Sequence, residues 1–388
     1  MSETNCKAAF NDIYVDPNGD LLPCCYIQRA PDTKTINNLD NIKDWFESDK
    51  DIKSLRKNLS TGIKDTRCDH CWRYEAENKW TLRSANAFDG NKAEAKLLHI
   101  TGGNLCNMAC RMCSPDLSSM INSENRPWQR GNSINYNWID DPAQSNKIIE
   151  FINDENITNI QLQGGEPTIM KGFVSILEGI DQNKKSKMGL QVTTNASVFN
   201  VNFWQQAVKF NRVTAGISVD AVGPRYEVIR YHGKWDTVRD NCDRILDYIW
   251  QNRIDPGPNP ALNLNVVIQL ANADLGNEMS DFYNGLTNKF KGISCNYTMA
   301  HVYDNDPSNP WDLLNLPPKV LESLPACKID SPMAKQWHDN IEFAKTNNGY
   351  GTIHRQKVLA REEYFKQTHG KNLWDQRPDW FEIYSKAS

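Results

Sequence analysis

The stretch LCNMACRMCSP, residues 105–115, sets Cys106, Cys110 and Cys113 in a C-x3-C-x2-C spacing. Thiolates are soft ligands that select iron–sulfur clusters or zinc. Three thiolates are one short of the four that a closed metal site uses. Either another residue completes the set, or one coordination position stays open for a small molecule. A zinc site finished by a distant Cys or His fits the spacing too, and His99 stands nearby in sequence. A second group lies further upstream. Cys6 is followed by Gly19 and Cys24, then by Cys68-x2-Cys71 after 43 intervening residues. Four thiolates from two loops make a closed site of the kind structural zinc takes, with Cys25 as the neighbour that competes with Cys24.

Eight of the 11 cysteines fall in the first 113 residues. The opening residues MSETNCKAAFNDIY lack the basic-then-apolar order of a secretory signal. No run of about 18 apolar residues suggests a membrane span. The expected setting is the cytoplasm, where thiols stay reduced and clustered cysteines mean ligation, not disulfides. Cys242, Cys295 and Cys327 stand apart and read as ordinary buried thiols. With 44 Lys and Arg against 48 Asp and Glu, net charge −4, the chain has no broad footprint for a phosphate backbone. The basic stretch Lys184–Lys187 reads most simply as a solvated turn.

The elements that must hold these cysteines are legible in the hydrophobic pattern. Runs rich in Ile, Val, Leu and Thr predict strands at 96–101, 157–163, 188–194, 213–219, 262–270 and 293–302. Amphipathic stretches predict helices between them at 142–154, 171–181, 201–209, 235–251 and 275–289. Alternation of this kind gives parallel strands joined by right-handed crossovers. Each of the first four strands runs into small or polar residues, TGGNLCNMACRMC, GGEP, TTNAS and SVDAVGP. Barrel-type α/β folds build their active sites at that end. Six units fall short of the eight in a closed barrel, so the expected fold is α/β, a partial (β/α)6 TIM-like barrel with a lateral gap. We expect a small α+β module at 1–92, which binds the second cysteine group, the barrel at 93–302 and a helical extension at 303–388. Turn residues in DPNGD predict a hairpin in the first part. The Trp-rich last part predicts two or three helices across the barrel's open edge. Residues 369–384 either line a substrate entrance or simply pack.

In this order the motifs resemble those of the radical S-adenosylmethionine (radical SAM) superfamily over roughly residues 96–300. The resemblance implies that Cys106, Cys110 and Cys113 bind a [4Fe-4S] cluster whose open iron is chelated by S-adenosylmethionine. The residue before the last cysteine is usually aromatic and packs near adenine, and here it is Met112. By the same resemblance Gly164, Gly165, Glu166 and Pro167 bind the methionine amino group. Ser218 and Arg230 would take ribose and the methionine carboxylate, roles their chemistry suits. Asn195 is a further ribose-side candidate, with a plain turn residue as the alternative. Asp220 either supports this arrangement or caps the next helix.

The first part resembles the beginning of the SPASM/twitch motif, which holds auxiliary iron–sulfur clusters. The resemblance implies that Cys6, Cys24, Cys68 and Cys71 hold one auxiliary cluster, of the [4Fe-4S] type, and the spacing from Gly19 favours Cys24 over Cys25. Two departures stand out: the module precedes the core, where it usually follows, and the later cysteines of a full SPASM domain are missing. The activity implied is reductive cleavage of S-adenosylmethionine to a 5′-deoxyadenosyl radical that abstracts hydrogen from a peptide or protein substrate. An electron donor such as flavodoxin or ferredoxin and an electron-transferring auxiliary cluster would serve it. A small-molecule substrate (nucleoside, sugar or cofactor precursor) is the enzymatic alternative. A zinc-stabilised binding protein is the non-enzymatic one.

Overall fold

The computed structural model describes residues 4–30, 32–76, 81–85, 92–129, 136–254, 261–290, 294–301 and 309–386. Ten strands appear in chain order: β1 Asp12–Val15, β2 Leu21–Leu22, β3 Leu97–Thr101, β4 Ala109–Cys110, β5 Asn159–Gln163, β6 Gly189–Thr194, β7 Arg212–Ser218, β8 Arg230–Tyr231, β9 Ala261–Ile268 and β10 Ser294–His301. Six of them, in the order β10-β9-β7-β6-β5-β3, form a continuous parallel run. These are the six strands expected from the pattern; positions 293 and 302 of the last expected strand lie outside the described residues. The crossover helices are Pro142–Asp154, Lys171–Gly179, Val201–Ala207, Trp235–Asn252 and Gly276–Lys289. The chain is therefore a mixed α/β protein built on a partial TIM-like barrel.

Alternation along the strands sorts the two sheet faces. Leu98, Ile100, Ile160, Leu162, Leu190, Val192, Val213 and Ala215 are buried in one core with Ile148, Phe173, Ile176, Phe203 and Ile245 of the surrounding helices. The opposite face is polar: Gln161, Gln191, Thr214 and Asn263 line a cavity of about 690 Å³. Period-two alternation thus gives an apolar outer face for the helices and a hydrogen-bonding inner face.

The DPNGD turn does form a hairpin, with Tyr14 opposite Leu22 and Val15 opposite Leu21. The pattern did not disclose that β1 also pairs in parallel with β3, placing Asp12 beside Leu97 and Val15 beside Ile100. The hairpin therefore extends the barrel sheet, and the Cys6–Cys24 segment is fixed against the strand that leads into the cysteine loop. The described residues of the last part form more α-helices than expected, four: Pro318–Glu322, Pro332–Thr346, Thr352–His369 and Pro378–Lys386. Helix Pro332–Thr346 packs on Gly276–Lys289, where Trp337 donates to the Ala273 carbonyl at 3.1 Å. Within 369–384, Leu373, Trp380 and Tyr384 are fully buried, so packing accounts for those side chains. No helix among the described residues is long and apolar enough to cross a membrane.

Candidate active site

The cysteine loop leaves the carboxyl end of β3 and returns through β4, which pairs antiparallel with β8. That short ladder sets Cys110 directly opposite Arg230, 120 residues away. Arg230 is not on a helix: it follows helix Pro224–Ile229 and begins β8. Its Nε donates to Asp220 at 2.7 Å and its Nη1 to the Cys110 sulfur at 3.6 Å. Asp220 is fully buried and also accepts from the Val267 amide at 2.7 Å. Its role is to hold Arg230, since the next helix takes Gly223 as its N-cap. Ser218, the last residue of β7, is half-buried beside Asn265 of β9. Met112 packs partly buried against the core.

Burial dominates the thiols of the loop. It raises Cys106, Cys110 and Cys113, with Cys113 pushed up to about 12. The neighbouring thiols raise Cys106 and Cys113 further, while Arg230 pulls Cys110 back. Such groups ionise only when a strong cation is at hand.

GGEP sits against this loop. The Gly165 amide donates to the Gly103 carbonyl at 3.1 Å and the Glu166 amide to the Leu105 carbonyl at 2.8 Å. A Cβ on Gly165 would lie 2.0 Å from the Leu105 oxygen. The glycine is thus required so that two backbones can touch. Pro167 is buried and opens a single helical turn. Gly164 takes φ +153° beside the Gly103 carbonyl. Glu166 is fully buried and accepts four hydrogen bonds: Thr168 N at 3.2 Å, Thr168 Oγ1 at 2.6 Å, Thr194 Oγ1 at 2.7 Å and Asn195 N at 2.7 Å. Burial raises its carboxyl and these donors offset part of the rise. Both carboxylate oxygens are engaged within the protein, so in this structure Glu166 fastens the end of β5 to the end of β6. Asn195 continues the brace, donating to Asn107 Oδ1 at 3.0 Å and accepting from Ser197 at 2.6 Å. Three strand ends are thereby tied to one cysteine loop.

The second cysteine group also converges. Cys6 is the N-cap of helix Lys7–Asn11, Cys68 ends the turn Thr66–Cys68, and Cys71 is buried in helix Asp69–Ala76. Burial raises Cys6, Cys24, Cys68 and Cys71, Cys68 to about 12, and Cys6 adds to the rise at each of the other three. Cys25, exposed to solvent, also stands near and feels Cys71.

The family model for the radical SAM superfamily matches residues 100–259. A second, for the SPASM iron–sulfur cluster-binding domain, matches residues 6–72. The chain belongs to the radical SAM superfamily. It is an enzyme of that superfamily with its SPASM module at the N-terminal side, and its cofactors are a [4Fe-4S] cluster, S-adenosylmethionine and an auxiliary iron–sulfur cluster. Among named relatives, molybdenum cofactor biosynthesis protein moc-5 of Caenorhabditis elegans is 27% identical over 51% of this chain and 29% of its own length. GTP 3′,8-cyclase of Actinobacillus pleuropneumoniae is 24% identical over 39% of this chain and 40% of its own length. The chain thus spans well under half the length of either relative. Solved structures with some likeness include native anSMEcpe with bound AdoMet, 15% identical over 71% of this chain and 67% of that chain, TM-score 0.42. Streptococcus suis SuiB bound to precursor peptide SuiA is 14% identical over 65% and 44%, TM-score 0.38.

The donor sets fit clusters better than single ions. In a tetrahedral zinc site, bonds of about 2.3 Å put sulfurs about 3.8 Å apart. Among the described residues no three cysteine sulfurs lie within 4.8 Å of one another. A cubane takes its thiolates on separate irons, and each donor set here is made of cysteines alone. His99 faces Tyr14, ring centroids 4.7 Å apart, and joins no such group either. The zinc-stabilised binding protein is overturned by the family matches.

Sequence reasoning overlooked two arginines beside the cysteine loop. Arg126 is buried, donating to the Cys110 and Ala109 carbonyls at 3.0 and 2.9 Å and to Glu124 at 2.8 Å. Arg111, between the second and third cysteines, is fully buried and paired with Glu362 of helix Thr352–His369. It also donates to the Val228 carbonyl and the Tyr231 hydroxyl, each at 3.0 Å. An arginine inside an otherwise apolar cysteine loop was the available signal, because a buried guanidinium needs a carboxylate partner.

Proposed function

We propose that this chain reductively cleaves S-adenosylmethionine and uses the resulting 5′-deoxyadenosyl radical to abstract hydrogen from a peptide or protein substrate. Cys106, Cys110 and Cys113 hold the [4Fe-4S] cluster; Cys6, Cys24, Cys68 and Cys71, in a module reaching to about residue 92, hold the auxiliary one. Bound at the three thiolates, the cluster supplies the electron that breaks the sulfonium carbon–sulfur bond. The chain's own contribution is placement. The observation that carries the reading is Arg230, opposite Cys110 in the β4–β8 ladder. Asp220 takes its Nε, which orients the guanidinium and leaves further N–H donors for a carboxylate. Gly164, Gly165 and Pro167 shape the loop beside it, Glu166 and Asn195 fix that loop to β6, and Ser218 and Met112 would serve the ribose and adenine of S-adenosylmethionine. An electron donor such as flavodoxin or ferredoxin and a cytoplasmic setting complete the proposal.

A second reading, a small polar substrate, is favoured by the names of the GTP 3′,8-cyclase relatives. Anaerobic reconstitution is expected to give a brown protein with about eight irons per chain, if both clusters are cubanes. Dithionite with S-adenosylmethionine should then yield 5′-deoxyadenosine. Cys110→Ala should abolish cleavage, whereas Cys71→Ala should keep cleavage and lose substrate turnover. Colourless, zinc-only protein without cleavage overturns the function. Deuterated peptide and deuterated nucleotide pools, offered separately, decide the substrate class by which one passes deuterium to 5′-deoxyadenosine.

A further inference from the structure

Beside the cysteine loop, and outside both cysteine groups, three ligand atoms from three elements converge. Glu124 ends helix Ser119–Glu124, which follows the loop. His232 follows β8, two residues past Arg230, and His369 ends helix Thr352–His369. One ligand atom of each lies within 4.8 Å of those of the other two. The side chains of His369 and Glu124 are 5% and 10% exposed, and His369 Nε2 lies 3.2 Å from Glu124 Oε1. Neither of those two buried atoms has a hydrogen bond to any other group, so each has only the other as a polar partner. A carboxylate oxygen and a ring nitrogen with one shared contact keep lone-pair capacity for a cation.

The surroundings hold both groups in position. Arg126 Nε takes the other carboxylate oxygen of Glu124 at 2.8 Å and leaves Oε1 to face His369. Tyr231 stacks on the His369 ring at 3.9 Å, with 11° between the planes, which sets the direction of the ring nitrogens. His232 takes a left-handed backbone, φ +70°, a conformation that non-glycine residues adopt at a cost. The turn places its imidazole edge-on to His369, 5.5 Å between centroids. Nitrogen and oxygen ligands at about 2.0–2.1 Å from a tetrahedral ion stand about 3.3 Å apart, and the His369–Glu124 contact of 3.2 Å is close to that edge length.

We propose that Glu124, His232 and His369 form a mononuclear site for a divalent transition-metal ion, separate from both iron–sulfur clusters. Two imidazoles and one carboxylate form a nitrogen and oxygen donor set suited to zinc or ferrous iron. His232 is exposed, so the remaining position opens to solvent. The ion joins the helix after the cysteine loop, the turn carrying Arg230 and the C-terminal helix. It therefore acts as a clasp between the radical SAM core and its extension.

Zinc(II) is the probe, titrated anaerobically into the fully reconstituted enzyme, with zinc and iron both counted by mass spectrometry after gel filtration. The wild type should bind one zinc per chain saturably, with its iron content unchanged. His232→Ala, at an exposed position, should keep the same iron content and weaken zinc binding by at least about tenfold, since even the partners of metal ligands matter by about 10–100-fold. The proposal fails if the wild type shows no saturable zinc binding, if His232→Ala binds zinc as tightly, or if zinc enters only as iron leaves. In each of those cases the His369–Glu124 contact is an ordinary ion pair.

Discussion

Replacing Glu362 with Ala should do more harm than its distance in sequence from the cysteines suggests. Glu362 pairs with Arg111, 251 residues away, and both side chains are fully shielded from solvent. The carboxylate accepts twice from the guanidinium, with Nη2 to Oε2 at 3.0 Å, and once from the Leu373 amide at 2.8 Å. Truncation leaves Arg111 with only the Val228 carbonyl and the Tyr231 hydroxyl, so a full positive charge stays buried. Breaking a buried pair from one side costs about 3–5 kcal/mol, and the orphaned Leu373 amide accounts for about 1–3 kcal/mol of such a loss. Against a typical domain stability of about 5–15 kcal/mol that is about a fifth or more. Anaerobic urea titration followed by circular dichroism measures it, and iron per chain reports whether the loop between Cys110 and Cys113 still retains its cluster. The control is Arg111→Met combined with Glu362→Leu, which removes both charges. It should recover at least half of the single variant's loss, because a charge-free pair pays no desolvation. A Glu362→Ala cost below about 1 kcal/mol, or a double variant as unstable as the sum of its singles, would refute the reasoning.

Other substitutions test the rest of the frame. Gly165→Ala brings a Cβ within 2.0 Å of the Leu105 oxygen, a backbone atom that cannot swing aside. It should cost about 3 kcal/mol or more and reduce iron retention at the three-cysteine site, read as urea midpoint and iron content. Glu166→Gln keeps the shape but turns an NH2 toward a donor, most directly the Asn195 amide. A loss of about 1.5–3 kcal/mol is expected, with faster amide exchange at Asn195 and none of that change around Cys68. Asp65 is held at about 2 by its hydrogen bonds from Arg67, with Asn58 assisting. A depressed carboxylate stabilises above its unfolded value and loses that contribution as pH falls through the folded one. A drop from 3.8 to about 2 is worth about 2 kcal/mol. The gap between wild type and Asp65→Asn should therefore be flat from pH 8 to about 5 and shrink only below about 4. A gap that already narrows between pH 7 and 5 would show that another group is responsible.

The barrel was legible because its signals are local. Each of β3, β5, β6, β7 and β9 has its alternation in five to eight consecutive residues, and the helix Trp235–Asn252 buries Val238, Cys242, Ile245, Leu246 and Ile249 on one face at helical spacing. The cysteine groups were legible for the same reason, as motifs of a few residues. Asp12–Val15 was not legible as a barrel strand. Four residues satisfy a hairpin and a parallel pairing equally, and nothing within them records that Leu97–Thr101 is the other neighbour. The number of C-terminal helices was missed because Pro at 318, 332 and 378 opens helices there, while the pattern reads each proline as an interruption. A proline at the first turn of a helix is compatible with both readings.

Long-range charge pairing was the other thing hidden, and it explains the construction of the site. Three buried arginines surround the cysteine loop, and each has its own carboxylate: Arg111 with Glu362, Arg126 with Glu124 and Arg230 with Asp220. The first and third pairs join different segments, so each arginine fastens the loop to another part of the chain. Phe365 packs between two of them, with the Arg111 and Arg126 guanidinium carbons 4.5 and 5.3 Å from its ring centroid. On one helix Glu362, Phe365 and His369 fall at a spacing that presents them together to the loop. An apolar loop of the same sequence length could be held by packing alone, but it would bring no fixed charge near three thiolates. Paired arginines meet both needs: the carboxylates keep each guanidinium affordable in the interior, and the donors left over point at carbonyls and sulfur. On the proposed ligation, helix Thr352–His369 belongs to the cluster site as much as the cysteine motif does. Shortening the chain before Glu362 should therefore cost cluster retention before it costs the barrel.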